Sequence, residues 1–117
     1  MTDNELIELS RAYVALCNAH RIDLILPMFA TGARYSSSAV GEYHGKAAIG
    51  DMMHGFFSEH PDVNWQADNY RCEAHQVSFD FKMSAAADSD NPLRRQGVER
   101  IEFTADGSIK SLDVETR

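Results

Sequence analysis

The sequence is poor in basic residues and contains no long apolar run. Only 11 of its 117 residues are Lys or Arg, against 18 Asp or Glu, which gives a net charge of -7. A phosphate backbone requires clustered basic side chains, so this balance argues against a nucleic-acid partner. No apolar run reaches the length that crosses a bilayer, and the N-terminal residues are acidic where a secretory signal would be basic. We therefore expect a cytoplasmic protein that contacts neither nucleic acid nor membrane.

Cysteine is also scarce, and the metal-binding and catalytic motifs that are easiest to recognise are missing. Cys17 and Cys72 stand far apart, with no CxxC pair and no histidine at the spacing of a structural zinc site. The DSDN run at residues 88–91 lacks the glycine and the glutamate that a calcium loop needs. Phosphate-loop, dinucleotide, esterase and zinc-protease motifs are absent. We expect reduced thiols, no metal and no cofactor.

The sequence does contain apolar residues at helical spacing, followed by residues that alternate between apolar and polar. The first pattern predicts helices over residues 3–19 and 46–59, and a shorter one around 23–30 that Pro27 interrupts. The second predicts strands over 63–72, 76–83, 96–104 and 108–115, after a weaker one at 33–38. Asp106-Gly107 is a strong hairpin signal. Helices followed by strands are typical of an α+β domain.

A chain of 117 residues, 44% of them hydrophobic, is long enough to bury one core. We expect one domain over residues 1–117, with N-terminal helices packed on a curved antiparallel sheet. The stretch 84–93, rich in Ser, Asp, Asn and Pro, should be an exposed loop. The period-two alternation predicts the residues on the helix-covered side of the sheet. These are Val77, Phe79, Phe81, Ile101 and Phe103.

Three strings, in this order, resemble the SnoaL-like branch of the nuclear transport factor 2-like superfamily. They are YVALCNAHRIDLILPMFA at 13–30, YHGKAAIGDMMHGFF at 43–57 and ERIEFTADGSIKSL at 99–112. The resemblance extends over nearly the whole chain. It implies a cone-shaped α+β barrel with a central pocket. Members of this superfamily often dimerise through the open face of the sheet, so the resemblance also implies a homodimer.

The same superfamily includes the ketosteroid isomerases, whose site combines a tyrosine of the first helix, an acid on a late strand and a carboxylate base near the first strand. By order and spacing, the tyrosine matches Tyr13 and the late acid matches Glu99, where the family has aspartate. The base falls at or next to Ser37, and no serine can remove a proton unaided near neutral pH. The resemblance thus implies Tyr13 and Glu99 as catalytic candidates without the expected base.

Each candidate also has an ordinary structural explanation. Tyr13 lies on an apolar helix stripe, so it is either a core tyrosine or a ligand contact. Glu99 is a buried acid with a raised pKa, a partner of an arginine at the sheet edge, or part of a strand inverted by one residue. His44 is either a solvated loop residue or a base or ligand contact. Apolar aromatic residues at these spacings belong to a core more often than to a binding site. The residues expected to line the pocket are Tyr35, Ser37, His44, Met53, Phe57, Trp65, Phe79, Phe81 and Ile101.

Three functions remain open. The first is a binding domain that holds a small hydrophobic ligand in the pocket. The second is an acid–base enzyme of the cyclase, isomerase, dehydratase or hydrolase type, acting on a hydrophobic substrate with a carbonyl group. Its base would have to be His44, Glu42 or Asp68. The third is a homodimeric association domain. The outward positions that would face the partner are Asp80, Arg100 and Glu102.

Overall fold

The structure, a computed structural model, describes residues 1–117. Its helical segments are α1 (Asp3–Asn18), α2 (Ile22–Ile25), which continues as a 3₁₀ turn (Leu26–Met28), and α3 (Lys46–Glu59). Its strands are β1 (Phe29–Ser37), β2 (Gly41–His44), β3 (Asn64–Glu73), β4 (Gln76–Ala85), β5 (Leu93–Phe103) and β6 (Ile109–Thr116).

The two long helices form where the sequence predicted them. α1 begins with a capping box, in which the Glu5 backbone N–H donates to Thr2 Oγ1 (3.1 Å) and the Thr2 backbone N–H donates to Glu5 Oε1 (2.9 Å). α3 follows Gly45, whose positive φ of 84° favours glycine, and ends just before Pro61. Each helix buries one apolar stripe against the sheet. No helix is both long enough and apolar enough to cross a membrane.

The six strands form one curved, mostly antiparallel sheet that is not closed, with the order β2-β1-β6-β5-β4-β3. The predicted α+β architecture and the predicted register are confirmed. Val77, Phe79, Phe81, Ile101 and Phe103 are all at most 4% exposed. They belong to the core between the sheet and the helices. We call this helix-covered side the inner face.

The first half of the sheet differs from the sequence prediction. The expected helix around 23–30 ends earlier, and the chain already enters β1 at Phe29. β2 was not predicted, and it pairs antiparallel with β1, with Tyr43 opposite Tyr35. β1 also pairs with β6 in parallel, because β6 is inserted between β1 and β5. The sheet is therefore not wholly antiparallel.

Candidate functional site

The inner face of the sheet, α1 and α3 enclose a cavity of about 50 Å³. Thirteen of the 17 residues on its wall are hydrophobic, which suits an apolar ligand. α1 contributes Tyr13 and Cys17. α3 contributes Met52, Met53, Phe56 and Phe57. The strands and the β1–β2 connection supply the rest of the wall.

Glu99 is the acid on this wall. It lies on β5 between Phe79 of β4 and Val114 of β6, and it is only 5% exposed. Its Oε2 atom has no hydrogen-bond partner within the protein. Burial alone raises the pKa of its carboxyl to about 8, because no cation offsets the loss of water. Neither the arginine pairing nor the inverted strand therefore applies. At neutral pH Glu99 is mostly a neutral acid that can donate a hydrogen bond.

Three other ionisable groups surround Glu99 on the cavity wall. Burial raises the pKa of the Tyr13 phenol well above its ordinary value, and Cys17, Tyr35 and Glu99 raise it further. Burial also raises the pKa of Tyr35, with smaller contributions from Glu99 and Cys17, while Arg95 opposes the rise. The pKa of the Cys17 thiol is raised by burial and by Glu99, so the thiol is not an activated nucleophile. Tyr13, Tyr35 and Cys17 therefore keep their protons at neutral pH, and each can donate a hydrogen bond.

Ser37 holds the connection between β1 and β2 against the cavity. Its Oγ accepts hydrogen bonds from the backbone N–H groups of Ala39 (3.2 Å) and Val40 (3.4 Å). The Tyr43 hydroxyl donates to the Val40 carbonyl (3.0 Å). Ala39 and Val40 lie on the cavity wall as a result. Ser37 is 8% exposed, and its hydroxyl oxygen is engaged in fixing this loop.

Trp65, the single tryptophan of the chain, is fixed on the wall by the end of α1. The Asn18 side chain accepts from the Trp65 backbone N–H (2.7 Å) and donates to its carbonyl (2.9 Å). Phe57 approaches the indole edge to face, with ring centroids 6.1 Å apart. The indole is thus positioned to report on what enters the cavity.

Most of the residues expected around a pocket do lie on this wall. Tyr13 and Glu99 reach the same cavity from α1 and β5, and their chemical role stays a prediction. The expected lining residues on the wall are Tyr35, Ser37, Met53, Phe57, Trp65 and Phe81.

Three expected lining residues lie elsewhere. Phe79 stacks on Tyr70, with ring centroids 4.8 Å apart, and Ile101 is fully buried opposite Val77. Phe79 and Ile101 were predicted to line the pocket, but in the structure they belong to the core. The His44 side chain is 70% exposed and contacts Glu42 Oε1 (3.1 Å) at the open edge of the sheet.

Some of the wall had no sequence signal. Ala39 and Val40 lie between β1 and Gly41, in a segment that the sequence pattern predicts to be only a connection. Arg95 and Thr116 lie on β5 and β6, whose other inner positions are apolar or small apart from Glu99. Arg95 carried no signal, because two adjacent arginines near a turn usually face solvent. No group of three or more His, Cys, Asp or Glu side chains could hold a metal ion.

Comparison with solved structures supports the fold. SalBIII, an epoxide hydrolase/cyclase-like enzyme in pyran ring formation, superposes with a TM-score of 0.85 at 17% identity, covering 97% of this chain and 92% of its own. A SnoaL-like protein of unknown function from Burkholderia thailandensis gives 0.81 at 20% identity, with coverages of 100% and 98%. AclR from Streptomyces galilaeus gives 0.80 at 18% identity, with coverages of 96% and 88%. At these identities the likeness establishes the fold alone.

The sequence itself matches a described family. No match was found among curated protein sequences. The family model of the SnoaL-like domain, however, matches residues 10–112, which include the C-terminal half of α1, all of α3 and the strands that carry Glu99 and Ser37. Sequence and fold agree, and the chain belongs to the SnoaL-like domain family.

Proposed function

We propose that this protein binds a small, mostly hydrophobic molecule whose carbonyl or ether oxygen accepts a hydrogen bond from the protonated Glu99 carboxyl. The observation that carries the proposal is the unpaired Oε2 atom of a buried acid on an apolar cavity wall. A buried polar atom without a partner costs about 1–3 kcal/mol. A ligand oxygen that accepts from Glu99 would recover part of this free energy.

The cavity must adapt to its ligand. A volume of about 50 Å³ holds only a few water molecules, whereas a benzene-sized ligand needs on the order of 150 Å³. Met52, Met53 and Met83 lie on the wall. Methionine side chains are unbranched and flexible, so they can repack around a guest. We therefore expect ring-sized ligands to bind by displacing methionine side chains rather than by moving the sheet.

Trp65 fluorescence provides the test. Cyclohexanone should perturb the emission of the indole more strongly, and at lower concentration, than cyclohexane, which has the same ring without the acceptor. The difference in affinity should be roughly three- to tenfold, the value of one neutral hydrogen bond. Glu99→Leu should abolish this difference. Glu102→Leu is the matched control, since Glu102 points away from the cavity on the same strand. Equal binding of ketone and alkane by the unsubstituted protein would contradict the proposal.

The affinity should also depend on pH. The neutral acid donates to a ketone, and the carboxylate does not. Because the pKa of Glu99 is about 8, ketone affinity should fall as the pH rises through that value, while cyclohexane affinity should not. A ketone affinity that stays constant from pH 6 to about pH 10 would show that Glu99 is not the donor.

An acid-assisted reaction is the second candidate, and the proton that Glu99 retains at neutral pH favours it. A neutral acid in an apolar site can protonate the oxygen of an epoxide or a carbonyl as a bond to it breaks or polarises. The bases considered from the sequence lie away from the wall: His44 contacts Glu42 at the sheet edge, and Asp68 is exposed on β3. The name of SalBIII describes chemistry of the hydrolase/cyclase type for that protein.

Cyclohexene oxide in buffer tests this second candidate. Faster formation of the trans-diol than in buffer alone, lost in Glu99→Gln and kept in Glu102→Gln, would support an acid-assisted hydrolase. Equal rates for the unsubstituted protein and Glu99→Gln would leave binding as the function and exclude Glu99 as the acid for this epoxide.

A further inference from the structure

Two buried side-chain oxygen or nitrogen atoms in this protein have no hydrogen-bond partner, and both belong to residues of the same cavity wall. One is Glu99 Oε2, and the other is Thr116 Oγ1. Thr116 lies opposite Gly97 on the neighbouring strand, two residues along β5 from Glu99. The cavity wall therefore carries two unpaired polar atoms, one on β5 and one on β6, at different heights along the strands.

Arg95 is a diagonal neighbour of Thr116, because Gly97 pairs with Thr116 and lies two residues from Arg95 on β5. It is half-buried on the cavity wall and makes neither an ion pair nor a side-chain hydrogen bond within the protein. Its charge reaches the site, because it opposes the rise in the pKa of Tyr35. The guanidinium offers five N–H donors in a planar arrangement that fits carboxylate and phosphate oxygens.

A hollow adjoins the cavity at this end and shares Met83, Arg95 and Thr116 with it. We call it the basic hollow. Its nine lining residues include four with cationic side chains and none with an acidic side chain, although the chain carries a net charge of -7. One of the four, Arg117, is paired with Glu115 (3.2 Å). The other three cations have no ion-pair partner: Lys82, Arg94 and Arg95.

We infer that the ligand of this cavity is an amphiphilic oxyanion, a carboxylate or phosphate ester whose anionic group binds Arg95 and Thr116 while its apolar body enters the cavity toward Glu99. This inference rests on the proposed function, because it names the second polar group of the same ligand. The unpaired Thr116 hydroxyl and Arg95 guanidinium supply the donors that bind the anion. The other cations of the basic hollow add positive potential at this end of the sheet.

The spacing along β5 sets the expected size. Arg95 and Glu99 are four residues apart on one face of a strand, so their Cα atoms are separated by about 13 Å. Both side chains stand on the inner face, roughly perpendicular to the sheet. The space between them suits a compact body such as one six-membered ring. An acceptor oxygen at the far end of the ring from the oxyanion would then meet Glu99.

Four probes of similar size separate the contributions. They are cyclohexanone, 4-oxocyclohexanecarboxylate, its methyl ester and cyclohexyl phosphate, each titrated against Trp65 fluorescence at low salt. The keto acid should bind at least tenfold more tightly than its methyl ester, as expected for a charge-assisted hydrogen bond. The preference should shrink at high salt, because Arg95 is partly exposed. Cyclohexyl phosphate distinguishes the two oxyanions: if it binds more tightly than the keto acid, the anionic group is a phosphate.

Variants decide between the two proposals. Arg95→Gln should remove the preference for the acid over the ester. Arg95→Lys should restore part of the preference. Lys110→Gln, which removes the same charge from a remote exposed residue, should keep it. A preference that persists in Arg95→Gln, or equal binding of acid and ester by the unsubstituted protein, would overturn the inference. Oxyanion binding that depends on Arg95 but is unaffected by Glu99→Leu would uphold it and reject the proposed role of Glu99.

Discussion

Glu99 couples the cavity to the stability of the fold. Its folded pKa of about 8 lies above the ordinary value of 4.5. Between these values the unfolded chain has lost a proton that the folded protein keeps, so the free energy of unfolding falls as the pH rises, by up to about 1.4 kcal/mol per pH unit. The contribution is fully present below pH 4.5 and is lost as the pH rises through about 8.

Urea unfolding from pH 5 to about pH 9 should therefore show a loss of stability in the unsubstituted protein that Glu99→Gln lacks. Carboxylates with a lowered pKa, such as Asp80 and Glu115, act in the opposite direction and below this window. Glu102→Gln removes a partly exposed carboxylate from the same strand and should keep the slope of the unsubstituted protein. Parallel curves for the unsubstituted protein and Glu99→Gln would mean that Glu99 is ionised in the folded state.

Ser37 occupies the position where the resemblance places a base. We expect the unsubstituted protein to exchange the α-protons of bound cyclohexanone no faster than buffer, and to lack steroid isomerase activity, because no base replaces Ser37. Ser37→Asp should accelerate the exchange, since a positioned base contributes about 10²–10⁴-fold. The carboxylate can also accept from the N–H groups of Ala39 and Val40 and so keep the loop in place.

Deuterium incorporation followed by NMR measures this effect. Ser78→Asp, on the outer face between Arg71 and Arg100, is the control and should leave the rate unchanged. Adding Glu99→Gln to Ser37→Asp should lower the rate, because the amide is a weaker donor to the developing oxyanion. Rapid exchange by the unsubstituted protein would show that another residue, with His44 or Glu42 first to be tested, supplies the base.

At the level of single residues, the sequence predicted the polar positions that sit in regular patterns. The family resemblance pointed to Tyr13 and Glu99, and Glu99 also interrupts an apolar strand face. Arg95 did not stand out, because its partial burial depends on where β6 ends and the cavity opens. His44 was misplaced because a four-residue edge strand turns it toward solvent. The hydrophobic pattern of the sequence could not predict the environment of Arg95 and His44, because that environment depends on where strands end.

Among the elements, β5 carries Arg95 and Glu99 on one face, and Gly97 lies between them where β5 and β6 approach closely. A Cβ at Gly97 would lie 1.9 Å from the Glu115 carbonyl oxygen, which belongs to the backbone of β6. Gly97→Ala should therefore push β6 away and lower the free energy of unfolding by about 1–3 kcal/mol or more. Thr116 would move with β6, so the preference for oxyanions should weaken as well.

Gly55→Ala provides the comparison for urea unfolding. A Cβ at Gly55 meets nothing within 4 Å, and the residue lies inside α3. Alanine has the higher helix propensity, so this variant should be more stable by up to about 1 kcal/mol. If Gly97→Ala were as stable as the unsubstituted protein, the close approach of β5 and β6 would not matter to the fold.

The elements with strong periodicity were predictable, and those without it were not. α1, α3 and β4 bury regular apolar positions. β1 buries small residues, Ala33 and Ser37, besides Phe29, which makes its alternation weak. β2 lies at the edge and buries nothing fully, so it left no apolar pattern. Its existence depends on pairing with β1, which is a tertiary contact.

In the whole molecule, charge is distributed unevenly over the two ends of the sheet. The net charge of -7 argued against polyanionic partners. The basic hollow nonetheless gathers Lys82, Arg94, Arg95 and Arg117 where β4 and β6 end and β5 begins. Total charge and local potential therefore have different consequences: the first disfavours nucleic acid, and the second favours one small anion. Composition could predict only the first.

The outer face of the sheet, opposite the helices, leads to the last prediction. Asp80 lies between inward-facing Phe79 and Phe81, so it points outward, where it pairs with Arg71 (3.2 Å). Arg100 pairs with Glu115 (3.0 Å) on the same side. These pairs are partly exposed, and such pairs contribute little to the stability of one copy. A two-fold arrangement would let the acids of one copy meet the bases of the other.

We therefore expect a homodimer through this outer face, with a mass twice the 13.1 kDa of the chain in size-exclusion chromatography with light scattering. A standard interface would bury about 1,600 Å² in total. Arg100→Glu places like charges across the two-fold axis and should shift the protein toward the monomer, as should high salt. Lys46→Glu changes the net charge equally at the start of α3, away from this face, and should leave the dimer intact. If the unsubstituted protein is a monomer at every concentration, the outer face is not an interface between copies. If both variants dissociate the dimer equally, net charge rather than this face controls the association.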